Sequence, residues 1–139
     1  MKKSLKIVLL GATLLTATAC TSHSGPKGTA KDFYKALADG NSQKVDSMVY
    51  WGSTKEVKDH PNTLMVAEGK INSAVKSAYE TAKSKGGVSS IKVTNTEMTT
   101  VGKDSVAIVT VEYIYGNGET HTEKGKFVKK QGKWLALLN

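Results

Sequence analysis

The chain has 139 residues, with 20 Lys plus Arg against 12 Asp plus Glu and a formal charge of +8. All twenty basic residues are Lys, which removes the guanidinium fork favoured for phosphate and guanine readout and argues against a nucleic-acid partner. A single cysteine excludes an intramolecular disulfide, so a folded domain here is held by its core alone.

Met1, Lys2, Lys3 and Lys6 make a cationic start, and an apolar run follows from Ile7 through Leu15. The uncharged stretch from Ile7 to Ala19 is thirteen residues. As a helix it reaches about 20 Å, short of a hydrocarbon core of roughly 30 Å, so it reads as an export signal over residues 1–19 rather than a span. Small residues close it in Ala17-Thr18-Ala19-Cys20, as a signal peptidase requires beside the bond it cuts. The segment resembles the lipobox of bacterial lipoproteins, in which the position of Ala17 is most often Leu. That resemblance implies a diacylglyceryl thioether on Cys20, often with a third acyl chain, of the palmitate kind, on its amine. At about 0.8 kcal/mol per buried methylene, two or three chains anchor durably where one is marginal. The alternative is an ordinary secretory signal cut after Ala19, leaving Cys20 as a free thiol.

The expected location is outside the cytoplasm, membrane-anchored. Thr21 is not the Asp that, in the lipoprotein family, retains the protein at the inner membrane. The outer membrane is therefore expected in a Gram-negative cell, and the outer face of the plasma membrane in a Gram-positive one. Removing residues 1–19 takes three lysines, leaving 120 residues with 17 Lys against 12 acids, a balance of +5. That is one domain, large enough to bury about two-thirds of its unfolded surface. A basic exported domain meets anionic envelope material, or uses its charge for solubility. An inhibitor of a cationic lysozyme would be acidic, and this chain is not.

Residues 20–28 read as the lipidated cysteine and a polar tether, TSHSGPKG, broken at Gly25-Pro26. Extended, the tether reaches about 26 Å. Thr29 is the expected N-cap of a first helix whose Ala30, Phe33, Tyr34, Leu37 and Ala38 share a face, with Gly40 ending it. Asn41 or Ser42 caps a short second helix carrying Val45, Met48 and Val49 on one face. Pro61 opens the third and longest helix, with Leu64, Ala67 or Glu68, Ile71, Val75, Ala78, Tyr79 and Ala82 as its apolar face and Gly86-Gly87 as its stop. From Val88 the period changes to two, and β-branched residues dominate. Strands are expected over 88–101, 105–115, 119–130 and 134–138, separated by Gly102-Lys103-Asp104, the hairpin signal Gly116-Asn117-Gly118 and Gln131-Gly132. The fold class is α+β, three helices packed on a four-stranded antiparallel meander.

This order of elements resembles the nuclear transport factor 2-like (cystatin-like) superfamily. The run Thr29-Ala-Lys-Asp-Phe-Tyr-Lys-Ala-Leu-Ala-Asp-Gly-Asn resembles its opening helix, and Glu123-Lys-Gly-Lys-Phe-Val-Lys-Lys-Gln-Gly-Lys-Trp-Leu its last hairpin. The chain looks like the bacterial lipoproteins of unknown function in that superfamily, over residues 29–139. The resemblance implies a cone of curved sheet and helices, which in the wider superfamily is an enzyme pocket, a ligand site or filled core, and fold alone does not choose among these.

Three groups of residues invite chemistry. His121 and Glu123, two apart on a strand, share a face with Phe127 and form a proton-shuttle or metal pair, or a solvated structural one. Tyr34, Tyr50, Trp51, Tyr79, Tyr113, Tyr115 and Trp134 are core or pocket aromatics; Tyr34, Tyr79 and Tyr113 are the expected cavity walls. Lys124, Lys126 and Lys130 share a strand face and form either an anionic-surface patch or protection against edge-to-edge pairing. No phosphate-cradling glycine loop, nucleophile elbow or zinc spacing is present. No metal or cofactor is therefore expected. The reading that follows is a non-catalytic envelope lipoprotein binding a partner protein or an anionic envelope polymer. Its alternatives are a carrier of a small apolar ligand in the cone and an isomerase-like enzyme.

Overall fold

The computed structural model describes residues 25–52 and 59–138. The expected export signal, Cys20 and residues 21–24 lie outside them. The described chain runs α1 (Pro26–Ala38), α2 (Ser42–Ser47), α3 (Pro61–Ser84), β1 (Val88–Val101), β2 (Asp104–Tyr115), β3 (Thr120–Lys130) and β4 (Lys133–Leu137). The α+β class and the element order agree with the sequence reading.

Helix α1 begins at Pro26, three residues before the expected cap. Gly25 is the N-cap, Pro26 sits where a missing N–H costs nothing, and the Thr29 N–H already donates to the Gly25 carbonyl at 3.1 Å. Thr29 is thus inside the first turn, and residues 26–28 of the expected tether are helical. The helix stops in a Schellman arrangement, with Gly40 N–H to Leu37 O at 3.1 Å and Asn41 N–H to Ala36 O at 2.9 Å. Gly40 supplies the positive φ, +74°, that the motif needs. Asn41 then caps α2 by accepting the Lys44 N–H at 3.1 Å. Beyond α2 the chain runs along β4, with Ala136 N–H to Met48 O at 2.7 Å and Tyr50 N–H to Ala136 O at 2.8 Å, a parallel bridge absent from the expected meander.

The sheet is antiparallel in the order β1-β2-β3-β4, with register irregularities in β1 at Val88/Ser90 and Val93/Asn95. Its inward face carries Val109, Val111, Tyr113 and Tyr115 of β2 and His121, Glu123, Gly125 and Phe127 of β3, aligned by Val111↔Glu123 and Tyr113↔His121. Helix α1 lies against this face, touching all four strands, and α3 packs chiefly on α1. The domain is therefore layered, with α1 in the middle. This explains why Thr29 and Ala36, off the apolar stripe read from sequence, are also buried.

Side chains fill the centre. Phe33, Tyr34 and Phe127 meet edge to face at centroid distances of 5.4, 5.8 and 6.4 Å, and Tyr34 meets Tyr113 at 6.1 Å. Gly125 makes this packing possible, because a Cβ there would overlap the Tyr34 phenol oxygen. Gly125→Ala is expected to lower stability by about 1–3 kcal/mol through overpacking. Denaturant unfolding measures it, and an unchanged midpoint would show that the phenol moves aside freely.

Candidate ligand site at the mouth of the cone

Because α3 rests on α1 rather than on the sheet, a gap remains where α1 ends. It is a cavity of about 280 Å³ lined by Leu37 and Ala38 of α1, Ala74, Ser77, Ala78 and Thr81 of α3, and Tyr113, Tyr115, His121 and Glu123 of the sheet, with Tyr34 at its floor. Small side chains on α3 leave the opening clear.

Two of the three tyrosines expected as cavity walls, Tyr34 and Tyr113, meet here. The Tyr113 hydroxyl donates to the Tyr34 carbonyl at 2.9 Å, fixing α1 to β2. Tyr79 does not belong to the site. It is 43% exposed, and its ring lies against Gly40. The buried stripe of α3 runs through Ile71, Val75 and Ala82 with Ala78 partly buried, and a residue one position on from Ala78 is turned about 100° away from it. Tyr115, grouped with the other aromatics in sequence, takes Tyr79's place, stacked on Tyr113 at 6.0 Å with 9° between planes.

His121 and Glu123 join at the rim, Nε2 to Oε1 at 2.6 Å, both side chains about half exposed. The imidazole also stacks near Tyr113 at 6.3 Å. Ser77 and Thr81 line the opposite wall, yet His121 bonds the carboxylate and neither hydroxyl, so the nucleophile-to-base contact of a catalytic triad is not formed. Among the described residues, no group of three or more His, Cys, Asp or Glu side chains could hold a metal.

The site is electrostatically one-sided. Burial, then the charge of Glu123, holds the Tyr34 phenol protonated and pushes it from 10.0 up to about 12. Tyr113 is pushed up further, first by burial and then by Tyr34, Glu123 and Tyr115. Tyr115 is raised by burial, against the opposing pull of Lys85, with Glu123 again adding to the rise. One carboxylate thus projects its field onto all three rings.

The lysines expected as an anionic-surface patch lie on the opposite face of the sheet. Lys124 and Lys126 are exposed, but Lys130 is bound to Asp104 at 2.7 Å and lies 4.9 Å over the Tyr50 ring. Glu97 and Lys126 both pair with Ile108, and Lys92 pairs with Glu112, so acids and lysines share this face. The cross-strand neighbours of these lysines could not be seen from one strand. A second depression, apolar and about 460 Å³, lies between the helices and is lined by Phe33, Leu37, Val45, Val66, Ile71 and Leu138 among others.

Residues 18–136 match the model of a family described as a domain of unknown function, DUF4878. A search of curated proteins finds no significant match. Among solved structures, a Campylobacter jejuni protein provisionally named an NTF2-like transpeptidase is 28% identical, with a TM-score of 0.66 over 83% of this chain and 99% of its own.

The raised Tyr34 group predicts a pH dependence. The native state keeps a proton that the unfolded chain releases above 10.0, so this contribution is complete below about pH 10 and is lost as pH rises towards about 12. Tyr34→Phe should abolish it. Denaturation from pH 10 to 12 is expected to cost the natural chain roughly 2–3 kcal/mol more than the variant. Parallel curves would mean that the phenol is not held protonated.

Proposed function

As the chain belongs to the DUF4878 family and has the NTF2-like fold, we propose that it is a non-catalytic, membrane-anchored envelope lipoprotein whose domain binds a partner protein or an envelope component. The observation that carries the binding reading is the filled cone. Phe33, Tyr34, Tyr113 and Phe127 occupy the interior where an enzyme of this shape would hold substrate, and the cavity at the mouth measures about 280 Å³.

Acyl transfer, the activity in the Campylobacter protein's name, requires an activated nucleophile beside its base. Here the base is occupied by Glu123. An isomerase-like reading requires a buried acid, and the Glu123 side chain is 45% exposed. Both points support binding over catalysis.

The anchoring part of the proposal rests on the cationic start, the apolar run and Ala17-Thr18-Ala19-Cys20, and the family match begins at residue 18, so that Cys20 falls within it. No helix among the described residues is long and apolar enough to cross a membrane. With α1 starting at Pro26, five residues separate Cys20 from the fold, a reach of roughly 20 Å. The location proposed is the outer membrane of a Gram-negative cell or the outer face of a Gram-positive plasma membrane.

The apolar groove between the helices favours a second reading, a carrier of a small apolar ligand. Its volume, about 460 Å³, lies within the usual range of ligand pockets, whereas the cone interior is closed to such a molecule.

Cys20→Ala is expected to release the protein from the membrane pellet and to abolish incorporation of labelled palmitate, with the thermal unfolding midpoint unchanged. Persistent pelleting without label would reject the lipid anchor, and a fall in the midpoint would reject the separation of anchor from core.

A further inference from the structure

The mouth sets a carboxylate among aromatic rings in a chain otherwise rich in lysine. Glu123 uses Oε1 to accept from His121, and among the described residues Oε2 has no hydrogen-bond partner. Tyr34, Tyr113 and Tyr115 form the walls beside it, two of them stacked so that their faces run parallel. The Tyr115 ring accepts an ammonium outside the cavity lining, with Lys85 Nζ 5.6 Å from its centre. Lys85 is itself paired with Glu119, so it does not set an unbalanced positive charge at the rim. The α3 wall is alanine, serine and threonine, with hydroxyls at Ser77 and Thr81 for further donors to reach.

We infer that the mouth of the cone is a binding site for a small organic ammonium ion, taken by the Glu123 carboxylate against the Tyr113 and Tyr115 rings. The inference rests on the reading of the domain as a non-catalytic binding module and names the chemistry of what it binds. An alkylammonium satisfies the free carboxylate oxygen and presents apolar carbon to Ala74 and Ala78, which a metal ion or an anion does not. At about 280 Å³ the cavity lies just below the usual range of ligand pockets, so the ion is of amino-acid size or is the head of something larger. Both groups of the pair are half exposed, so binding is weak, on the order of millimolar.

The test is a titration of the full chain in detergent micelles with propylammonium chloride, following the ring protons of Tyr113, Tyr115 and His121 by NMR. Sodium propionate is the anionic control. Saturable shifts confined to these rings are expected with propylammonium and absent with propionate. Glu123→Gln should weaken the binding about tenfold, the loss of one charge-assisted contact, with the rest of the spectrum unchanged. Ser77→Lys, which tethers an ammonium at the mouth, should block the added ion while leaving Glu123, Tyr113 and Tyr115 in place. Equal binding of propionate, no saturable shift with propylammonium, or full affinity in Glu123→Gln would each overturn the inference. Free propylammonium and vesicles of phosphatidylethanolamine separate a dissolved amine from a lipid head group as the source. Repeating the titration on Cys20→Ala distinguishes the two proposals, since persistent pelleting with intact binding rejects the anchor alone, and release from the pellet with no saturable shift in either protein rejects the site alone.

Discussion

Helix α1 is clamped between two layers, and the clamp closes at one residue. Tyr34 sends its ring into the sheet over Gly125 while its own carbonyl accepts the Tyr113 hydroxyl. A helix carbonyl that takes a side-chain proton ties backbone to sheet at a fixed height, and the missing Cβ at Gly125 lets the helix come close. The remaining packing follows from that approach. Phe33 reaches Phe127 because α1 is near, Leu37 and Ala38 end up on the rim, and α3 settles on the outer side of α1. Had Gly125 been larger, α1 would stand further from the sheet, and the mouth would open into the core.

The same closure decides the character of the site. A cone filled by four aromatic rings leaves His121 and Glu123 at its edge, half exposed, with the phenols buried beside them. There, desolvation and one carboxylate act in the same direction on the phenols, keeping them neutral and making the rings face a negative potential. A site built this way holds charge complementary to a cation without any acid being buried.

Much of the fold was legible because local rules and global packing agree. The run from Ile71 to Ala82 announces its helix, Gly86-Gly87 its end, and Gly116-Asn117-Gly118 its hairpin, and all three stand in the structure. What could not be read depends on partners distant in sequence. Gly25-Pro26 looks like a break until Thr29 is seen donating back to Gly25. Val49 joins Ala136 across most of the chain, and Lys130 finds Asp104 across a hairpin. Tyr79 misled because its phase is adjacent to the buried stripe, and only the bare surface of Gly40 explains why its ring lies outside. His121 and Glu123 could be placed on one face from their spacing, but Ser77 and Thr81, the wall opposite, carry no signal distinguishing them from any polar helix residue.

The direction of α1 links the proposed anchor to the proposed site. Its N-terminus at Pro26 lies nearest in sequence to Cys20, and its C-terminal end, Leu37 and Ala38, lines the mouth. Thirteen helical residues span about 20 Å, so the mouth stands at the end of the helix remote from the proposed lipid attachment. With the proposed anchor in place, every orientation in which α1 points away from the bilayer presents the mouth to the solvent side. An anchored domain with this arrangement is suited to meeting solutes or neighbouring chains rather than its own membrane.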